Sequence, residues 1–115
     1  MNDIAYLTGL AKKFRDDRDW KKIHTPKDVA MDISIEASEV LEHFLWRKGE
    51  ELDVYIKEHK EDISDELADV LHAVLILSEE LEIDIFKAFE EKMKKNEAKY
   101  PVEKVKGRNI KHTML

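Results

Sequence analysis

Two ten-residue stretches set thirty positions apart nearly repeat one another. Residues 32–41 read DISIEASEVL and residues 62–71 read DISDELADVL, with six identical positions and a seventh exchanging Glu39 for Asp69. Each copy holds two carboxylates three residues apart: Glu36 and Glu39 in one, Glu66 and Asp69 in the other. On a helix, residues i and i+3 share a face. Two amphipathic helices packed along this segment would therefore bring four carboxylates toward one place.

The rest of the chain favours helices as well. It has 115 residues, 40% of them charged, with three Gly, two Pro and no Cys. So few breakers over one domain's length predict an all-α fold. The expected architecture is a four-helix, bundle-like single domain over residues 1–115. The first helix runs from Asp3 to Asp17 with an apolar stripe of Ile4, Leu7, Leu10, Ala11 and Phe14. Thr25-Pro26 with Asp28 signals the start of the second, which runs to about Arg47 and stops near Gly49. Residues 50–60 read as a turn of helix or a loop. The third helix covers about Glu61 to Leu81, and the fourth runs from an Asp84 cap to about Lys99, closed by Pro101. The tail, residues 102–115, reads as irregular.

Composition narrows the function. With 20 basic and 26 acidic residues, the formal charge of −6 argues against general binding to a nucleic-acid backbone. No apolar run reaches the roughly 18 residues of a membrane span, and no signal-peptide pattern opens the chain. The lack of Cys excludes disulfides and thiolate metal sites and fits a reducing cytoplasm.

The carboxylate pairs carry the chemistry. At about 100° per residue, Val29, Ile33 and Val40 flank Glu36, and Ile63, Val70 and Leu77 flank Glu66. Each pair thus sits at the edge of an apolar stripe, half turned to the core. Two carboxylates about 4 Å apart repel by roughly 4 kcal/mol at an effective dielectric of 20. Neither repeat contains a Lys or Arg to relieve this. A hard divalent cation (Mg²⁺, its substitute Mn²⁺, or Ca²⁺) is an economical answer, and Mg²⁺ points to phosphoanhydride chemistry. With so many acids in the chain, a plain solvated face or a non-catalytic helical module that recruits a basic partner remains open. So does a di-iron carboxylate bundle, because Asp69 and His72 have the carboxylate-x-x-His spacing of such sites. In the other repeat, however, Glu42 stands where the histidine belongs and His43 comes one residue late.

Lys92, Asn96 and Tyr100 form a stripe at i, i+4 and i+8 on the fourth helix, where a Lys and an amide suit phosphate or hydroxyl oxygens or simply make an ordinary polar face. Trp20 and Trp46 stand at element ends, where a flat ring can stack on a base or simply pack. Arg108 and Lys111 add two cations in the tail, within reach of phosphate or simply solvated.

Taken together, EASE followed by Trp46, DELADVL, KMKKNEAKYPV and FRDDRDW with His24 and Pro26 resemble the all-α nucleoside triphosphate pyrophosphohydrolases of the MazG-like superfamily. Within it, they match the branch typified by dCTP pyrophosphatase. The resemblance implies hydrolysis of a (d)NTP, dCTP-like, to (d)NMP and pyrophosphate with Mg²⁺, as part of nucleotide-pool housecleaning. It implies metal-ligand roles for Glu36, Glu39, Glu66 and Asp69, with Lys92, Asn96 and Tyr100 near sugar and phosphates and Trp20 and Trp46 around the base. It also implies a dimer or dimer of dimers (a homotetramer). Where relatives carry a tyrosine one turn after the second acidic pair this chain has Ala73, which leaves a roomier pocket floor.

Overall fold

The computed structural model describes residues 2–115, and among them every regular element is helical. The chain divides after Glu82 into two compact units. The first holds α1 (Asp3–Asp17), α2 (Pro26–Glu42), α3 (Gly49–Glu58) and α4 (Lys60–Glu80). The second holds α5 (Ile85–Lys99), α6 (Val102–Val105) and a 3₁₀ turn at His112–Met114.

Local chemistry sets the helix starts. Asn2 Oδ1 accepts a hydrogen bond from the Ala5 amide at 2.6 Å and opens α1. Thr25 and Asp28 form a reciprocal capping box around α2, with Pro26 as its first residue. Hydrogen bonds from Thr25 hold the Asp28 carboxyl below its ordinary range, backbone first. Asp84 Oδ1 accepts from the Lys87 amide at 3.1 Å and caps α5.

In the first unit α2 and α4, the two helices that carry the repeats, pack along one another most extensively; α1 also lies on α4, and α3 touches it. The buried centre is small: Ala11, Val29 and Ile76, with Leu77 packed against them. Ile63, Ala73 and Leu75 are buried further along α4.

Five details depart from the sequence reading. Helix α2 ends at Glu42 and not at Arg47, because Arg47 Nη1 donates to the carbonyls of His43 (3.1 Å), Glu42 and Leu45 (3.4 Å each). That guanidinium satisfies oxygens a continuing helix would have used. Gly49 does not cap α2; at φ 59° it begins α3, and the left-handed turn ahead of it falls on Trp46 at φ 67°. Residues 49–58 form a ten-residue helix, longer than the single turn or loop expected there, with Leu52, Tyr55, Ile56 and His59 half-buried on one stripe. The tail carries helical turns as well. In α1, the inner face is Ala11 and Arg15, while Leu10 and Phe14 are exposed.

Arg15 is the exception that explains this face. It is 6% exposed, its Nη1 donating to Glu80 Oε1 and its Nε to Asp16 Oδ1, each at 2.8 Å. A buried guanidinium needs such partners. They push its pKa further up, chiefly through the bond to Asp16.

Candidate active site

The repeats behave as their patterning requires. Glu36, Glu39 and Glu66 are half-buried at the edge of the α2–α4 seam, and Asp69 is the most exposed of the four. Glu36 Oε2 and Glu66 Oε2 are both buried without an aligned hydrogen-bond partner. A buried carboxylate oxygen with no hydrogen bond is costly in an isolated protein, and Glu36 Oε2 has no ion pair either. Both oxygens are donors of the kind a hard cation takes.

The surroundings of these acids show the strain. Burial pushes Glu36 up to about 6, and the neighbouring Glu39, then Asp69 and Asp32, push in the same direction. Between pH about 4.5 and 6 the folded chain therefore holds a proton that the unfolded chain has already released. Stability from this group then falls as pH rises through that window. In metal-free buffer, calorimetry across pH 4–7 is expected to show this decline in Tm, and Glu36→Gln flattens it. An unchanged slope in the variant would place the titration elsewhere.

The four acids do not form a closed ligand set. Among the described residues, no three His, Asp or Glu side chains converge tightly enough to hold an ion as they stand. Mutual repulsion is reason enough: Glu36 sits with Glu39, whereas Glu66 turns to His43, whose Nε2 lies against Glu66 Oε2. His43, just beyond the first repeat, is a partner for Glu66 that neither repeat contains.

Next to Glu36 and Asp69 lies a cavity of about 120 Å³ formed by α1, α2 and α4. Val29, Ala73 and Ile76 give it an apolar floor. Trp20 and His24 stand on its wall, their ring centroids 5.5 Å apart. Phe14 meets Trp20 edge-on at 5.7 Å and His72 at 5.8 Å, while the Arg18 guanidinium covers Phe14 at 3.7 Å. Arg15, Glu80 and Asp32 supply charged groups along the same wall. An aromatic frame beside carboxylates suits a flat, polar ligand bearing phosphates.

Of the residues singled out from sequence, Glu36, Asp69 and Trp20 share this cavity. Glu39 adjoins it through Glu36. Trp46 does not line it; it is 96% exposed on the α2–α3 turn. In the second unit, Lys92 is exposed while Asn96 and Tyr100 are half-buried. The Tyr100 hydroxyl lies 3.3 Å from His112 Nδ1. Arg108 Nη1 donates to the Lys104 carbonyl, and Lys111 is exposed at the start of the 3₁₀ turn. The sequence reading left out Arg15, Asp32 and Glu80 as cavity residues. Of these, only Asp32 carried a signal, lying one helical turn before Glu36.

Relatives sharpen this geometry. The MazG-like family profile matches residues 31–115, which include both carboxylate pairs. The chain is 31% identical over 108 residues to dCTP pyrophosphatase 1 of Rattus norvegicus, and 29% identical to that of Bos taurus. Each match covers 92% of this chain, which spans 64% of the length of either relative. The crystal structure of a pyrophosphatase from Archaeoglobus fulgidus DSM 4304 superposes with a TM-score of 0.80 at 39% identity, covering 88% of this chain and 94% of that one. A helical fold, paired acids on two packed helices and matches of this extent agree: the chain belongs to the MazG-like family.

Proposed function

We propose that this chain is a Mg²⁺-dependent nucleoside triphosphate pyrophosphohydrolase that converts a (d)NTP, dCTP-like, to (d)NMP and pyrophosphate. The observation that carries this reading is the buried, partnerless Oε2 of Glu36, which with Asp69 lines the cavity walled by Trp20. The names of the mammalian and archaeal relatives support it.

Glu36, Glu39, Glu66 and Asp69 are the residues that would hold a divalent ion. Such an ion, when bound, neutralises phosphate charge and lowers the pKa of a coordinated water. The chain does the rest. Trp20, braced by Phe14 and His24, stacks on the base, and the cavity floor excludes water from it. Water attacks the α-phosphorus in line, the bond to the β-phosphate oxygen breaks, and a half-buried glutamate takes the water's proton. The family resemblance alone supports roles for Lys92, Asn96 and Tyr100 at sugar and phosphate oxygens, and Arg108 and Lys111 are proposed as phosphate contacts on their charge.

The chain is further proposed to act as a homo-oligomer, a dimer or tetramer. Met31 and Ile35 on α2 and Leu67 and Leu71 on α4 are each 40% exposed or more at i, i+4 spacing. Apolar rows of this kind are covered in a symmetric assembly. Among the described residues no helix is long and apolar enough to cross a membrane.

Incubation with a panel of (d)NTPs and Mg²⁺, resolved by ³¹P NMR, is the test. NMP and pyrophosphate in equal amounts are expected, and EDTA should stop their release. Orthophosphate as the product would indicate a phosphatase. No turnover of any nucleotide would favour the non-catalytic helical module.

A further inference from the structure

His43, at the C-terminal end of α2, joins three helices through its ring. Its Nδ1 is 2.8 Å from the hydroxyl of Tyr55 in α3, and its Nε2 lies against Glu66 in α4. A neutral imidazole serves both contacts in one tautomer only: the Tyr55 hydroxyl donates to Nδ1, and the Nε2 proton faces the carboxylate. The side chains of His43 and Glu66 are 13% and 27% exposed, so water competes weakly for either.

Tyr55 is itself held on both sides. Its ring stacks on His59 with centroids 4.0 Å apart and planes 15° from parallel, and the Arg47 guanidinium lies 3.7 Å from its centroid. His59 Nδ1 is in turn 3.0 Å from the Tyr55 carbonyl oxygen. A phenol clamped in this way cannot swing, so the imidazole it bonds to cannot turn either. The Nε2 contact holds one carboxylate oxygen of Glu66, Oε2, so the imidazole fixes the direction of that carboxylate. Among the described residues none of the other three acids has such a neighbour in an ion pair.

We infer that His43, locked by Tyr55, is a positioning residue that fixes the Glu66 carboxylate for cation binding, and that α3 serves to hold this relay. The inference rests on the metal-site reading above. It also gives the ten residues of α3 a task in the site that no acid on that helix supplies.

The test is a Mn²⁺ titration followed by EPR on the full chain, beside kcat and KM with Mg²⁺ and dCTP. Tyr55→Phe removes one hydroxyl and leaves the ring stack; His43→Leu removes both contacts. Each is expected to weaken Mn²⁺ binding about 10-fold to 100-fold, the range for groups that orient a metal ligand. The fall in activity should appear in kcat and in the Mg²⁺ concentration needed, with the KM for nucleotide at saturating Mg²⁺ unmoved. His43→Gln, whose amide nitrogen can take the place of Nε2, should recover most of the affinity. Wild-type Mn²⁺ affinity in folded Tyr55→Phe and His43→Leu would overturn the positioning role alone. No Mn²⁺ binding by the wild-type chain would overturn the metal site, and this role with it. Equal losses in His43→Leu and His43→Gln would assign His43 to packing and overturn the inference.

Discussion

Glu66→Gln is expected to cut pyrophosphate release on the order of a thousandfold, the loss that follows when a group supporting transition-state charge is removed. The substitution keeps the shape of the side chain and its place beside His43. It removes one negative charge from a seam where like charges already oppose one another. The metal-free fold should therefore survive with an equal or higher Tm. What disappears is the response to cation: saturating Mg²⁺ raises the wild-type Tm by mass action, and the variant shows a much smaller rise. Glu36→Gln should behave alike, because its orphaned oxygen belongs to the same seam. Full turnover in either variant would remove the carboxylates from the reaction.

Arg15→Ala is expected to produce the largest loss of stability. The guanidinium is 6% exposed, and the Glu80 side chain that it holds at 2.8 Å is 12% exposed. Removing the cation leaves a nearly buried carboxylate without its partner, which costs about 3–5 kcal/mol. In a unit of this size that corresponds to a fall in Tm of roughly 10 °C or more. Replacing the pair together, as Arg15→Met with Glu80→Leu, should restore most of the loss, since the penalty lies in the unpaired charge. Thermal unfolding of both variants measures this. A single variant as stable as wild type would mean that Glu80 finds water or another donor.

How far the sequence reached depended on the range of the interaction. Caps act over three residues, and Thr25-Pro26 with Asp28 placed the start of α2 correctly. Apolar periodicity likewise predicted that Glu36 and Glu66 lie half-inward, flanked by the now buried Val29 and Ile63. Helix α3 was legible too, in the spacing of Leu52, Tyr55, Ile56 and His59, but its charge density masked the stripe. The partnership of Arg15 with Glu80 was not legible, because it spans 65 residues and depends on how α1 lies on α4. His43 failed for a related reason. Its role depends on Tyr55 and Glu66 arriving from two other helices, and spacing along α2 says nothing of either. The carboxylate pairs were found from local pattern, whereas how closely they converge depends on packing across the seam, which local pattern does not set.

The central claim is that acids from α2 and α4 share one divalent cation. Anomalous diffraction from crystals grown with Mn²⁺ tests it directly. The account predicts a manganese peak between the two helices, coordinated by Glu36, Glu39, Glu66 and Asp69. A peak bound elsewhere, or none at millimolar Mn²⁺, would contradict it.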